Sequence, residues 1–142
     1  GDYMTSYSVM AVKNDGTIYT PAQGLMGKDL LAAGVKDTYN FGPILIQNGE
    51  AQLPWAETEK YYPRTAVGMV KPNDYVLLVT DTGTYNGLNH WDMVNIFKSY
   101  GCTYAYNLDG GGSATLYFNG KVMNKLIGNT QRPCADFLYF TR

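Results

Sequence analysis

Apolar residues occur along the chain in short runs that predict a protein built mostly of β-strands. The runs at residues 65–70, 75–80 and 103–108 are rich in β-branched or aromatic side chains, which is typical of buried strands. Further strands are predicted at residues 6–13, 17–19, 39–47, 114–119, 121–124 and 135–140. Pro43 marks a strand start, a bulge or an edge, because proline donates no hydrogen bond to a neighbouring strand. Segments that favour tight hairpins lie between apolar runs at Asn14-Asp15-Gly16, Asn48-Gly49 and Asn119-Gly120.

The clearest helical pattern covers residues 90–100. Asn89 is a suitable N-cap, and Asp92 places a negative charge near the positive end of the helix dipole. One apolar face is formed by residues at helical spacing, namely Met93, Ile96, Phe97 and Tyr100. A shorter helix is predicted at residues 28–33, before Gly34.

The order of these elements predicts the fold class. The strand at 75–80, the helix at 90–100 and the strand at 103–108 resemble a crossover unit that joins two neighbouring parallel strands. The later strands favour antiparallel pairing. We therefore predict an α+β fold, with a mixed, largely antiparallel β-sheet and two helices packed on it. A length of 142 residues fits a single domain over 1–142.

Charge and hydropathy limit the classes of partner. The net charge is −1 and lysine and arginine form no cluster, so nucleic acid is not predicted as a partner. No apolar run reaches 18 residues, so no membrane span is predicted. The 13 tyrosines, and a first residue that leads directly into strand-like sequence, favour the trimmed chain of an extracytoplasmic protein, secreted or at the cell surface. The oligomeric state stays open.

Cysteine and histidine give little support for a metal site. Cys102 and Cys134 could be two thiols or one disulfide, and they form no metal-binding motif. His90 is the single histidine, and we predict it at the surface or at the cap of its helix. A resident metal is therefore not predicted from these residues.

Two aspartates follow two of the buried strands. Asp81 ends the strand at 75–80, and Asp109 ends the strand at 103–108. If these strands are parallel neighbours, both carboxylates emerge at one carboxyl edge, where sheets with helical crossovers commonly hold ligands. Two close carboxylates can divide acid and base roles. The alternative is that both aspartates are turn formers that accept nearby backbone N–H bonds.

A glycine-rich loop follows Asp109 and is a candidate anion site. Gly110, Gly111 and Gly112 have no side chains, so a ligand can approach their backbone, and successive N–H groups can bind an anion. Ser113 and Thr115 add hydroxyl groups. The alternative is a flexible loop tip. Guanidinium groups suited to phosphate oxygens stand before two strands, at Arg64 and Arg132.

Several motifs together resemble the phosphodiester glycosidase family, which includes α-N-acetylglucosaminidases of the uncovering-enzyme type. They run in the family's order from about residue 41 to the end of the chain, and they are Phe41-Gly42-Pro43, Arg64-Thr65-Ala66-Val67-Gly68, Gly87-Leu88-Asn89-His90-Trp91-Asp92, Asn107-Leu108-Asp109-Gly110-Gly111-Gly112-Ser113-Ala114-Thr115 and Arg132-Pro133. The family's upstream Asn-Gly-Gly/Ala-Phe-Phe type of segment is absent before residue 41, and Thr82-Gly83 departs from the family pattern. The chain is therefore expected to lack the family's upstream half.

The resemblance implies a hydrolase that cleaves the C1–O–phosphate bond of a sugar-1-phosphodiester such as a GlcNAc-1-phosphodiester. It implies catalytic roles for Asp109, Asp81 and Arg64. Binding of the carbohydrate-phosphate substrate is expected at the remaining site residues: Thr65, Gly110, Gly111, Gly112, Ser113, Thr115 and Arg132. No cofactor is required by this chemistry.

Two alternative functions fit the same residues. The first is a non-catalytic glycan-binding or cell-wall-binding module on the same fold. The second is a phosphodiesterase in which Asp81 and Asp109 hold Ca²⁺ or Mg²⁺, since both ions prefer oxygen ligands. In a bacterial setting, phosphodiesters of exopolysaccharides or wall polymers are the expected substrates.

Overall fold

The computed structural model describes residues 8–53, 60–83 and 86–141. Two α-helices and ten strands are present in this part of the chain. In chain order they are β1 (Val9–Lys13), β2 (Ile18–Tyr19), α1 (Gly27–Ala32), β3 (Val35–Asn40), β4 (Ile44–Gln47), β5 (Glu50–Ala51), β6 (Thr65–Lys71), β7 (Asp74–Val79), α2 (His90–Ser99), β8 (Tyr104–Leu108), β9 (Tyr117–Phe118) and β10 (Lys121–Val122). The predicted α+β class, with largely antiparallel sheets and two helices, is confirmed.

A five-stranded sheet forms the centre of the fold. Its strand order is β5-β4-β8-β6-β7, and every neighbouring pair is antiparallel. Strands β7 and β8 both pair antiparallel with β6, so they run parallel to each other. The predicted parallel direction is therefore confirmed, but the two strands are not neighbours, because β6 lies between them.

The central sheet is covered on both faces. On one face α2 packs through its buried residues onto Leu45, Ala66 and Ala105. The helix approaches so closely that a Cβ atom on Gly68 would lie 2.5 Å from a ring carbon of Phe97. On the other face a three-stranded sheet of order β2-β1-β3 packs through Met10 and Ile18 onto the central strands. Much of the core consists of these two interfaces.

Helix α2 begins as its sequence predicts. The Asn89 side chain accepts a hydrogen bond of 2.8 Å from the Asp92 backbone amide, which caps the helix. The buried face differs in part from the prediction and consists of His90, Met93, Val94 and Phe97. Tyr100 is 64% exposed, because it follows the last helical turn and lies beyond the packed face.

All three predicted hairpin turns are present. They connect β1 to β2, β4 to β5 and β9 to β10. Asn48 and Asn119 have φ angles of 51° and 49°, the left-handed conformation that two-residue hairpins require. The turn residues therefore set the local pairing of strands over much of the chain.

Two predicted strands differ from the structure. The run at 39–47 is divided between β3 and β4, with Pro43 in the connecting segment. The strand predicted at 135–140 is wrong, because no strand is present there. Phe137 and Tyr139 are 76% and 70% exposed, whereas Leu138 and Phe140 contact the core cluster and the Tyr75 ring, so this segment packs on one side without pairing to a strand. Predicted positions 6 and 7 of the first strand lie outside the described residues.

Within the described residues, no helix is long and apolar enough to cross a bilayer.

Candidate active site

The strand register brings the predicted site residues to one edge of the central sheet. Thr65, the first residue of β6, pairs with both Val79 and Leu108, the last residues of β7 and β8. Arg64 therefore precedes β6 at the same edge where Asp81 and Asp109 follow their strands. A spacing of about 4.8 Å between neighbouring strands places the ends of β7 and β8 roughly 10 Å apart.

An ion pair occupies the centre of this edge. An Arg132 guanidinium nitrogen, Nη2, lies 2.8 Å from Asp109 Oδ2 and also donates a hydrogen bond to the Ser113 hydroxyl. Both charged side chains are about half exposed, at 53% for Arg132 and 51% for Asp109. The structure therefore joins Asp109, Ser113 and Arg132 in a solvent-accessible cluster, which we name the Asp109 cluster.

The glycine loop packs against the segment that precedes β6. The Gly111 amide donates a 2.8 Å hydrogen bond to the Pro63 carbonyl, and a Cβ atom on Gly110 would lie 2.5 Å from that carbonyl oxygen. Residues Gly111–Ser113 form one 3₁₀ turn, in which Gly111 has a φ angle of 56°. The Gly111 amide therefore already donates its hydrogen bond within the protein and is not available to an anion.

Gly112 has no such structural requirement. A Cβ atom on it would meet only the Arg132 side chain, at 3.6 Å or more, which is ordinary contact. Its bare backbone lies beside the Arg132 guanidinium. Packing therefore explains glycine at position 110, and a φ angle of 56° favours it at position 111, whereas a Cβ atom at position 112 would only contact the Arg132 side chain of the Asp109 cluster.

Alanine substitutions should separate the two kinds of glycine. We expect Gly110→Ala to destabilise the fold by about 1–3 kcal/mol, because its methyl group overlaps a backbone carbonyl. Gly112→Ala should change stability by less than about 0.5 kcal/mol. If substrate passes over Gly112, the same change should lower kcat/KM about 10- to 100-fold. Thermal unfolding and initial rates of both variants test this; equal unfolding temperatures for the two would contradict it.

Arg64 lies on the other side of the glycine loop. Its Cα atom would be 3.4 Å from a Cβ atom on Gly110. The Arg64 side chain donates to the carbonyls of Leu88 at 3.1 Å and Lys60 at 2.8 Å, and its guanidinium carbon lies 5.2 Å from the centre of the Tyr62 ring. These contacts tie together the two segments that flank the site edge.

Asp81 is held in a turn. Its Oδ1 accepts a 2.9 Å bond from the Gly83 amide, and its Oδ2 accepts a 2.7 Å bond from the Lys125 amide. These two bonds, that from Lys125 first, hold the pKa of Asp81 below its ordinary value, because they stabilise the charged form. The turn-forming alternative therefore describes the contacts that Asp81 makes here.

The depressed pKa of Asp81 predicts an acid-dependent loss of stability. A carboxylate whose folded-state pKa is lowered stabilises the fold above the unfolded value, roughly 3.9, and this contribution disappears as the pH falls through the folded-state pKa. Asp81→Asn should therefore unfold at a lower temperature than the parent chain at pH 6. The difference should shrink once the pH falls below about 3.9. A difference that stays constant from pH 6 to about pH 2.5 would contradict this role.

Buried polar atoms without partners also mark this edge. The Thr65 hydroxyl and the Asn107 side-chain oxygen are buried, and neither has a hydrogen-bond partner among the residues that the structure describes. Asn107 itself donates to the Gly42 carbonyl at 2.8 Å. Unpaired buried polar atoms are uncommon in proteins and often lie near binding or catalytic sites.

The predicted binding residue Thr115 makes a different contact: its hydroxyl donates a 3.2 Å hydrogen bond to the Gln131 side-chain oxygen.

The structure determines the burial of the histidine and of both cysteines, which the sequence left open. His90 is the first residue of α2, as its predicted cap position requires, but it is 3% exposed, so the surface position is wrong. Cys102 is buried and Cys134 is exposed, and both are free thiols. Within residues 8–53, 60–83 and 86–141, no group of three or more His, Cys, Asp or Glu side chains is arranged to hold a metal ion.

The sequence analysis missed Asn124, which fixes the hairpin next to the glycine loop. Its side-chain oxygen accepts from the Leu116 amide at 2.7 Å, and its side-chain nitrogen donates to the Ala114 carbonyl at 2.8 Å. Together with Asp81, it borders an open cleft of about 390 Å³ beside the site edge. The only signal in the sequence was an isolated polar residue after the Asn119-Gly120 hairpin, which is too common to assign a role.

Comparisons with known proteins agree with the motifs at this edge. The profile of the phosphodiester glycosidase family matches residues 3–141. Protein YomE from the SPbeta prophage of Bacillus subtilis is 30% identical over 132 residues, which is 88% of this chain and 20% of that protein. The mouse N-acetylglucosamine-1-phosphodiester α-N-acetylglucosaminidase is 43% identical over 58 residues, which is 40% of this chain and 11% of the mouse enzyme.

A solved structure supports the same assignment. The catalytic domain of the zebrafish N-acetylglucosamine-1-phosphodiester α-N-acetylglucosaminidase, auto-inhibited by its pro-peptide, superposes with a TM-score of 0.68 at 25% identity. The match covers 84% of this chain and 44% of the zebrafish chain, so this chain spans less than half of that structure. Because the family profile matches nearly the whole chain, the protein belongs to the phosphodiester glycosidase family.

Proposed function

We propose that this chain carries a site that hydrolyses the C1–O–phosphate bond of a sugar-1-phosphodiester. The observation that carries the proposal is the Asp109 cluster, in which a carboxylate, a guanidinium and a hydroxyl meet beside the bare backbone of Gly112. Membership of a family of hydrolases that act on phosphodiester-linked sugars supports this reaction type.

Arg132 and Ser113 are suited to bind the phosphate. A guanidinium has five N–H donors, and charge-assisted bonds to phosphate oxygens are among the stronger hydrogen bonds in proteins. Nη2 of Arg132 is engaged by Asp109 and Ser113, whereas Nη1 and Nε lie 3.8 and 3.9 Å from the place where a Gly112 Cβ atom would be. Nη1 and Nε make no hydrogen bond with the described residues, so they can donate to phosphate oxygens beside Gly112.

Asp109 is the better placed of the two carboxylates to act on the sugar. Its Oδ2 is held by Arg132, and its Oδ1 makes no hydrogen bond with the described residues. Asp81 uses both oxygens for backbone amides, and its strand ends roughly 10 Å from that of Asp109. We therefore assign the reacting carboxylate to Asp109 and a positioning role to Asp81.

The reaction requires little general-acid catalysis from the protein. The C1–O bond breaks and its electron pair leaves with the phosphomonoester. The oxygen of water becomes bonded to C1, and one proton of that water passes to the solvent or to the released phosphate. A phosphomonoester has a second pKa of about 6, so it departs with little help from a general acid. The site must stabilise the leaving phosphate, which Arg132 and Ser113 do, and supply a carboxylate to activate water or attack C1.

The position of Arg64 supports a positioning role next to the substrate. Its bonds to the Lys60 and Leu88 carbonyls fix the segment whose Pro63 carbonyl holds the Gly111 amide. Arg64 thereby sets where the glycine loop and the Asp109 cluster lie. Thr65 and Thr115 complete the proposed binding edge with hydroxyl groups.

Release of a free sugar tests the proposal. The complete protein should convert a GlcNAc-1-phosphodiester to GlcNAc and a phosphomonoester, and UDP-GlcNAc to GlcNAc and UDP, measured by chromatography of both products. Binding of the substrate without any release would instead support the glycan-binding alternative and contradict hydrolysis.

The same assay addresses the metal-dependent alternative. We expect turnover to survive EDTA, because both Asp81 oxygens accept backbone amides and the Asp109 charge is balanced by Arg132. Loss of turnover in EDTA and its recovery with Ca²⁺ or Mg²⁺ would establish the metal-dependent reaction in its place.

A further inference from the structure

A second pocket lies at the opposite edge of the central sheet from the Asp109 cluster. It has a volume of about 350 Å³ and opens between the first residues of β8, the end of β4 and the β1–β2 hairpin. Tyr104 lies five residues before Asp109 in sequence, which corresponds to about 17 Å along the strand. The two sites are therefore separated by most of the length of the sheet, and we name the second one the Tyr104 pocket.

The lining of the Tyr104 pocket carries no charge. Seven of its nine lining residues have a hydroxyl or amide side chain, and none is an acid, a lysine, an arginine or a histidine. The remaining two are the apolar side chains of Ile18 and Met69, both buried. An anionic ligand would lose its hydration here without gaining a countercharge, which is unfavourable. Because most of the exposed lining surface is nevertheless apolar, the pocket suits a neutral molecule that has both hydroxyl groups and an apolar face.

The polar groups are arranged to exchange hydrogen bonds with such a molecule. The Thr20 and Tyr104 hydroxyls lie 2.8 Å apart, so each still has capacity for a further bond. The Gln47 and Asn48 side-chain amides make no hydrogen bond with the described residues. Each amide offers both a donor and an acceptor, as adjacent hydroxyls on a ring require.

From this lining we infer that the Tyr104 pocket is a binding site for one neutral sugar unit, separate from the proposed hydrolytic site. Its volume lies at the small end of the range for ligand pockets, which fits a single ring. Occupation of this pocket would hold a glycan on the protein while the Asp109 cluster acts at a different position.

Titration of the full chain with neutral monosaccharides tests this inference. GlcNAc, glucose and galactose should be added up to about 50 mM while ¹⁵N–¹H correlation spectra are recorded, since weak single-ring binding lies in the millimolar range. At least one sugar should give saturable shifts centred on Thr20, Gln47 and Thr103. Shifts without saturation, no shifts, or shifts confined to the glycine loop would overturn the inference.

Variants of the lining residues test whether the sugar binds in the Tyr104 pocket. Gln47→Ala should weaken the affinity about 2- to 10-fold, as expected for one lost hydrogen bond, and Thr103→Val provides a second test if Gln47→Ala fails to fold. The matched control is Gln52→Ala, an exposed glutamine on the neighbouring chain segment, which should leave the affinity unchanged. Unchanged affinity in both pocket variants would overturn the inference.

Two further measurements distinguish the Tyr104 pocket from the proposed hydrolytic site. Asp109→Asn should retain sugar binding at the Tyr104 pocket even when turnover is lost, so the failure of one proposal leaves the other intact. GlcNAc-1-phosphate should bind at the Tyr104 pocket no more tightly than GlcNAc, since the lining has no cation. Tighter binding of the phosphate at these residues would contradict a neutral ligand.

Discussion

Replacement of Asp109 with asparagine should reduce kcat for a sugar-1-phosphodiester by about 10³–10⁴-fold. Asparagine keeps the size of the side chain and can still accept a bond from Arg132, but it cannot take a proton from water or attack C1. The fold should remain intact, because the Asp109 side chain is about half exposed and contributes an exposed ion pair. Initial rates and thermal unfolding of the complete protein measure both effects, and unchanged turnover would refute the role of Asp109.

Asp81→Asn is the matched control for this experiment. It makes the same chemical change at the same edge of the sheet, but in a side chain whose oxygens bind the Gly83 and Lys125 amides. We expect it to lower the unfolding temperature more than Asp109→Asn does and to lower kcat far less. The reverse ranking would exchange the roles that we assign to the two carboxylates.

Arg132→Gln should lower kcat/KM about 10²–10³-fold, the second largest effect that we expect. The guanidinium orients Asp109 and Ser113 and is the cation placed to stabilise the leaving phosphate. Glutamine preserves a donor but removes the charge. A leaving group with a lower pKa should suffer less from this change, because it needs less stabilisation. Rates for phosphodiesters with several leaving groups measure that dependence.

Arg64→Gln tests whether the effect of Arg132→Gln is specific to the Arg132 guanidinium. The contacts of Arg64 include two backbone carbonyls and the Tyr62 ring. We therefore expect Arg64→Gln to reduce stability and to affect all phosphodiesters by a similar factor. A dependence on the leaving group as steep as that of Arg132→Gln would place Arg64 on the phosphate itself.

The sequence predicted the elements that local signals control. Asn89 capped α2, and the asparagine–glycine pairs formed hairpins, because each depends on a hydrogen bond or a backbone conformation within a few residues. The common edge of Asp81 and Asp109 followed from the parallel direction of β7 and β8. The strand β6 was predicted at residues 65–70, but its position between β7 and β8 was not, because strand order depends on long-range pairing that no local pattern encodes.

The sequence also could not predict which groups the site side chains contact. Arg64 and Arg132 both precede short apolar segments, and the family resemblance implied a catalytic role for Arg64 and a binding role for Arg132. Only the fold places Arg132 on Asp109 and Arg64 on two backbone carbonyls. The strand predicted at 135–140 was wrong for a related reason: apolar alternation indicates a packed face, but it does not determine whether the backbone pairs with another strand, and here it does not.

The fate of oxygen from the solvent tests the central claim most directly. The complete protein should hydrolyse a GlcNAc-1-phosphodiester in H₂¹⁸O, and mass spectrometry should follow the label in both products. Attack at C1 predicts ¹⁸O in the anomeric hydroxyl of the released GlcNAc and none in the phosphomonoester. Label in the phosphate, or GlcNAc-1-phosphate as a product, would show cleavage of a P–O bond and contradict a glycosidase site at the Asp109 cluster.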